Sequence, residues 1–244
     1  MSAYLFCGGL NLENISFINF RKLNYNICNE LSLIYRSGTS YSLSEIDIKY
    51  LNSLGIKKLF DFRSRTEILN NRLYELSKIY NIEVINIPIE GYHDKFKDIM
   101  YPNEIDYSKY YMDILDCGKE SFAYILNYMH EIKSPEPIVY SCNLGKDRTG
   151  VFSYILLNIF SSKYSDIEKD YEKSSEYLLN NKYLIDIYKN NKRDFECRCK
   201  TKKLTIKLMT EKIIDKYGSI NGYLDLIGID ESKRKNIAHK WRNT

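Results

Sequence analysis

The residues best suited to do chemistry lie together, in Ser141-Cys142-Asn143-Leu144-Gly145-Lys146-Asp147-Arg148-Thr149-Gly150. A thiol and a guanidinium are separated by five residues, with a glycine between them and a threonine directly after the arginine. That pattern is anion chemistry. Five intervening residues let the backbone curl into a cradle whose N–H groups point inward at the mouth of a helix, and helix N-termini bind phosphate readily. The same field favours thiolate over thiol, which makes Cys142 the candidate nucleophile. Arg148 is suited to grip two phosphate oxygens and to stabilise transition-state charge. Gly145 permits a tight loop without a Cβ crowding the anion. Thr149 is placed to donate a hydrogen bond to the Cys142 sulfur as it leaves. Asn143, Leu144, Gly145, Lys146, Asp147 and Arg148 are the expected phosphate-binding residues. A nucleotide-binding loop fails here, because Tyr140 and Asp147 stand where glycine and Ser or Thr are needed.

Such a loop needs a strand before it and a helix after it. Ile138-Val139-Tyr140, set off by Pro135 and Pro137, reads as the strand, and a long helix starts near Arg148. Two more short strands are expected, Lys57–Phe62 and Glu83–Ile87. Helices are expected over 43–53, opened by a Ser42-x-x-Glu45 capping box, from Thr66 to about Lys78, and over about 107–131. Strand alternating with helix predicts an α/β fold, a mainly parallel central sheet flanked by helices, with a helical C-terminal part from about residue 172. Ligands of open α/β sheets bind beyond the carboxyl ends of the strands. That rim receives Asp61, Arg63 and Arg65 from one strand, Glu90, His93 and Asp94 from another, and Cys142 from the third. The segment 172–215 is the candidate lid.

The chain has 244 residues and no linker or fixed-period repeat, and is read as one domain over 1–244. Hydrophobic content of 44% and charged content of 28% exclude a disordered or collagen-like chain. A net charge of +4 is too mild for a nucleic-acid coat, so no nucleic-acid partner is expected. No apolar run approaches the ~20 residues that cross a bilayer. The N-terminus lacks the basic and apolar regions of a signal peptide, so a cytoplasmic, reducing location is expected. Six cysteines then read as free thiols. Three histidines and a lone Cys197-x-Cys199 pair make no tetrahedral set, so neither metal nor cofactor is expected.

The Cys142 loop resembles that of the cysteine-dependent protein tyrosine phosphatase superfamily. More narrowly, Cys-x-x-Gly-Lys-Asp-Arg-Thr-Gly is similar to the bacterial tyrosine/serine and phosphoinositide phosphatase family. Asn19-Phe20-Arg21-Lys22-Leu23, Ile34-Tyr35-Arg36-Ser37-Gly38 and Phe60-Asp61-Phe62-Arg63-Ser64 are similar to further segments of that family, as are Asp166-Ile167 with Asp170-Tyr171, and Tyr217-Gly218-Ser219 with Tyr223-Leu224. The resemblance implies a two-step phosphomonoester hydrolysis, with Cys142 forming a cysteinyl-phosphate that water then cleaves. The expected substrate is a phosphorylated protein, phosphotyrosine above all, with phosphoserine, phosphothreonine or phosphoinositides alongside. It also implies Asp147 as the general acid; strand order offers Asp94 as the rival. Two departures stand out. Ser141 replaces the histidine the family usually has before the nucleophile, which implies lower activity or a shifted pH optimum. Lys22 and Asn24-Tyr25 replace Asp and Gly-Gly in the first segment.

Blander roles compete at several positions. Arg63 is suited either to touch substrate or to pair with Asp61, Arg36 to hold structure, and Lys146 to add a second cation or face solvent. Seven Lys or Arg between Lys189 and Lys203 read as a solvated face. Two other functions share the loop: a catalytically weak phosphate-recognition module, and thiol chemistry on other oxyanions such as arsenate reduction. The oligomeric state is left open.

Overall fold

The computed structural model describes residues 15–24, 30–68, 73–91, 96 and 98–242. Five strands form one sheet: β1 (Arg21–Asn24), β2 (Glu30–Ser37), β3 (Lys58–Asp61), β4 (Glu83–Asn86) and β5 (Ile138–Ser141). Their order is β1-β2-β5-β3-β4, with β1 antiparallel to β2 and the other pairs parallel. β5 is central because all four of its residues are buried, as a strand covered on both faces requires. Ser141 on β5 pairs with Ser37 on β2 and Asp61 on β3, so three parallel strands end at one edge. That edge carries the loops of interest.

Side chains alternate between the two faces. Tyr35, Leu59 and Val139 pack on one side with Leu43, Ile48 and Leu51, the latter two on helix α1 (Glu45–Ser53). The α2 (Arg65–Ile68) and α3 (Leu73–Ile79) helices follow β3, and Leu73 joins this side. Ile34, Phe60, Ile138 and Tyr140 pack on the other, against α4 (Glu104–Cys117), α5 (Lys119–Glu131) and α6 (Arg148–Ile159). Every residue of α6 except Asn158 is buried, which fixes the helix behind the loop on all sides. Six helices complete the chain: α7 (Tyr164–Leu179), α8 (Lys182–Ile187), α9 (Lys192–Cys199), α10 (Lys203–Tyr217), α11 (Ile220–Leu226) and α12 (Glu231–Arg242). Met209, Ile213, Tyr223, Leu224, Ile237 and Trp241 carry α10 to α12 into the same core as the sheet. None of the helices among the described residues is long and apolar enough to cross a membrane.

The expected α/β architecture holds, with differences. The sheet has five described strands rather than three, β1 and β2 being additional. The helix expected over 107–131 is two, because Gly118 ends α4 and directly precedes α5. The C-terminal helical part begins at Tyr164, not near 172. The capping box of α1 is Ser44 with Asp47, not Ser42 with Glu45: Ser44 Oγ accepts from Asp47 N, and Asp47 accepts from Ser44 N.

Candidate active site

Cys142 leaves the end of β5 and is buried, at 2% exposure. The loop from Asn143 to Asp147 returns the chain to the start of α6. Its conformation is set by where its carbonyls go. Asn143 O accepts from Thr39 N at 2.8 Å, Leu144 O from Asn19 Nδ2 at 3.2 Å, and Gly145 O from Asn19 Nδ2 at 2.9 Å and Arg36 Nη2 at 2.8 Å. Three successive carbonyls are thus tied to the scaffold. Gly145 has φ +65°, and a Cβ there would stand 2.4 Å from Gly38 N. A Cβ on Gly38 would in turn meet Asn143 O at 2.7 Å, so these two backbones touch.

The scaffold behind the loop is a buried ionic cluster. Arg36 pairs with Asp170 of α7 through Nη1, and Arg21 Nη2 donates to Asp170 O at 2.9 Å and Ser174 Oγ at 3.0 Å. Burial, reinforced by the Arg36 charge and opposed by Asp170, pushes the Arg21 guanidinium down to about 10. Arg36 therefore holds structure. Asp61 and Arg63 do so as well: Arg63 Nη2 donates to Asp61 Oδ2 at 2.7 Å and Nη1 to Thr39 Oγ1 at 2.8 Å, with both residues buried.

Arg148, first residue of α6, is gripped by a residue the sequence reading passed over. Its Nη1 lies 2.7 Å from Glu67 Oε2 and donates to Phe62 O at 3.0 Å, and its Nη2 lies 2.8 Å from Glu67 Oε1. Burial opposes ionisation of Glu67, but hydrogen bonds and charge from Arg148, with Ser64, outweigh it and hold the carboxyl at about 2. Glu67 is also the N3 residue of a capping box with Ser64. The Ser64-x-x-Glu67 spacing was therefore the available signal.

Asp147 occupies the N-cap position of α6, yet its side chain caps nothing. Its Oδ1 accepts from Tyr111 Oη at 2.8 Å and lies 3.1 Å from Lys146 Nζ. Lys146 is neither solvated nor on the cleft wall. At 1% exposure it sits beneath the loop, its ammonium 3.9 Å from the Tyr107 ring centroid. Burial works against its charge, while Asp147, Tyr107 and Tyr171 outweigh that and keep Lys146 above the ordinary lysine value. Thr149, expected to serve the Cys142 sulfur, donates instead to Ser37 O at 3.4 Å. His93 and Asp94 lie outside the described residues. Of the other thiols, Cys199 is buried and its pKa is pushed up to about 12, chiefly by burial. No group of three or more His, Cys, Asp or Glu among the described residues is placed to hold a metal ion.

Above the loop opens a cleft of about 490 Å³. Asn143, Leu144, Asp147, Arg148 and Glu67 form its floor, and Tyr41, Phe96, Tyr107, Tyr110 and Tyr188 its walls. Residues of α8 and α9 (Leu184, Ile187 and Arg198) close one side, within the segment read as a lid.

The candidate site is thus a thiol at the end of a central parallel strand, a loop with its carbonyls tied to the scaffold and an arginine opening the next helix. The model of the tyrosine phosphatase family matches residues 17–243, and the chain belongs to that family. It is a phosphoric monoester hydrolase. Among solved structures, the chain is similar to the catalytic core of Siw14, at 16% identity and a TM-score of 0.39. A second match is the catalytic domain of the PP-IP phosphatase SIW14 from S. cerevisiae with citrate, at 17% identity and a TM-score of 0.35. Each covers 66% of this chain and 88% of the other. No curated protein matches.

Proposed function

We propose that this chain hydrolyses phosphotyrosine in proteins through a cysteinyl-phosphate on Cys142. The outward tethering of the Asn143, Leu144 and Gly145 carbonyls carries the reading, because it leaves an N–H cradle over the thiol. In the first step Cys142 Sγ attacks phosphorus, an S–P bond forms and the P–O bond to the tyrosine breaks. Asp147 gives its proton to the departing oxygen. In the second, water attacks phosphorus and returns a proton to Asp147; the S–P bond breaks, releasing phosphate and the thiolate. Arg148, its plane set by Glu67, holds two phosphoryl oxygens throughout. Packing of the C-terminal helices into the sheet's core supports one catalytic unit.

The cleft favours an aryl phosphate over a polyphosphorylated headgroup. Among the described residues its walls carry five aromatic rings, and its charged lining is balanced, Arg148 and Arg198 against Glu67 and Asp147. A polyanion needs an excess of cations, and Lys146 is turned under the loop.

The test sets phenyl phosphate, phosphotyrosine, phosphoserine and phosphothreonine peptides, and phosphoinositides before wild type, Cys142→Ser, Asp147→Asn and Asp94→Asn. Turnover of phosphotyrosine peptides, abolished in Cys142→Ser and reduced ~100-fold or more in Asp147→Asn, is expected. Binding of phosphopeptides without turnover by wild type overturns the enzymatic reading. A sharp loss in Asp94→Asn with Asp147→Asn near wild type transfers the proton donor to Asp94.

A further inference from the structure

Asp147 is reached by a polar chain that runs back into the core. Tyr111 on α4 donates to Asp147 Oδ1 at 2.8 Å, and its hydroxyl lies 2.8 Å from that of Tyr171 on α7. Both tyrosines are buried. Lys146 Nζ approaches the same Oδ1, and the charge of Lys146 also bears on Tyr171. Among the described residues, both contacts of the Asp147 carboxyl thus fall on one oxygen. Asp147 lines the cleft, so Oδ2 is the oxygen left for a ligand.

Buried hydroxyls in a row orient each other. With Tyr111 giving its proton to Asp147, its own oxygen accepts from Tyr171, and each donation polarises the next. A carboxyl whose Oδ1 already accepts from Tyr111 carries its own proton on the other oxygen. Tyr111 and Tyr171 are both held above the ordinary tyrosine range, first by burial. They stay neutral donors at every pH at which an enzyme of this kind works.

We infer that Tyr111 and Tyr171 are positioning residues that anchor Asp147 through Oδ1, so that its transferable proton sits on Oδ2, over the cleft. This rests on the reading of Asp147 as the general acid, and adds the residues that make it one. The chemistry itself is unchanged: the proton on Oδ2 goes to the leaving oxygen as the P–O bond breaks, and Oδ1 keeps the hydrogen bond from Tyr111.

The experiment compares two aryl phosphates with the same enzyme variants. Phenyl phosphate has a basic leaving oxygen that needs the proton; p-nitrophenyl phosphate leaves with little help. Tyr111→Phe is expected to lower kcat/KM about 10-fold on phenyl phosphate and less than about 3-fold on p-nitrophenyl phosphate. Tyr171→Phe shows the same bias at smaller amplitude, and serves if Tyr111→Phe does not fold. In an Asp147→Asn background, Tyr111→Phe is expected to cost nothing further on phenyl phosphate. Equal losses on the two substrates, or none on phenyl phosphate, overturn the inference and leave Tyr111 a packing residue. Asp147→Asn without leaving-group bias overturns the assignment of the acid, and the positioning network falls with it.

Discussion

Glu67 grips Arg148 through both terminal guanidinium nitrogens, at 2.7 and 2.8 Å, so a carboxylate from α2 sets the plane of the arginine proposed to hold phosphate. The contact joins the first turns of two helices at the same sheet edge, α2 following β3 and α6 following β5. Catalysis by positioning depends on such fixed planes, since a small misplacement of a binding group lowers the rate strongly.

Glu67→Gln is therefore expected to reduce kcat/KM about 10-fold, with Arg148 free to rotate out of plane. It also changes stability in a pH-dependent way. The folded carboxyl is held at about 2, below its ordinary value of 4.5, so it stabilises the fold fully above about 4.5 and progressively less as pH falls toward 2. In urea melts, Glu67→Gln loses on the order of 2 kcal/mol at neutral pH. The gap to wild type closes as pH is lowered through that window. A gap that is constant with pH sinks this account of the pair.

Gly38→Ala tests the contact of the two backbones. Its Cβ would meet Asn143 O and Leu144 C at 2.7 Å each, atoms that cannot rotate away. The loop must shift, and with it the N–H cradle. Activity is expected to fall more than 10-fold while circular dichroism stays that of a folded protein. An active Gly38→Ala enzyme would show that the loop tolerates displacement.

The strand–loop–helix arrangement around Cys142 was legible because its residues are contiguous. Of its supports, Arg36 was read as structural and Arg63 as a partner for Asp61, but their other partners were not legible. Arg36 is a fully buried charge within β2, which breaks the hydrophobic alternation that announces a strand. Only the fold shows that Asp170, 134 residues away, neutralises it. Tyr111 is one of several tyrosines on α4, and its hydroxyl reaches Asp147 only because α4 meets the loop. Glu67 carried a readable capping signal, whereas the same rule at Ser42 and Glu45 misled, because Ser44 and Asp47 offer the identical spacing two residues on. Lys146 and Thr149 were read from loop chemistry alone, and packing beneath the loop assigned both to other partners.

Asp170→Asn tests the ionic cluster. Asp170 is the carboxylate shared by the buried Arg36 and Arg21. Removing its charge leaves two guanidinium groups repelling each other in a dry site, which typically costs about 3–5 kcal/mol. A drop of that size in denaturant stability is expected, with activity falling alongside as Gly145 O loses its fixed donor. Replacing Arg36 as well, as Arg36→Met with Asp170→Asn, is expected to recover part of the loss, since the repulsion goes with it. Additive losses in the pair would show that the two side chains act independently.

The final prediction concerns charge at the mouth of the cleft. Residues 182–203 carry eight Lys or Arg against three Asp or Glu, a net of +5, more than the +4 of the whole chain. This stretch contributes Leu184, Ile187, Tyr188 and Arg198 to the cleft lining, and Lys192 and Arg193 are exposed at the start of α9, the Arg193 guanidinium 4.0 Å from the Tyr101 ring centroid. Several of these cations have acidic neighbours, as Arg198 has Asp194 and Lys200 has Glu196, but exposed pairs are worth at most about 1 kcal/mol and yield to a better anion. Phosphotyrosine peptides with acidic flanks are thus expected to show KM values several-fold below those of neutral-flanked peptides. Raising salt from about 0.05 to about 0.5 M narrows the difference, because the contacts are solvent-exposed. Lys192→Glu with Arg193→Glu raises KM for the acidic peptide about 3- to 10-fold and leaves kcat on phenyl phosphate unchanged, since neither side chain touches the reacting atoms. Equal KM values for acidic and neutral peptides at low salt would mean that this positive wall does not select the substrate.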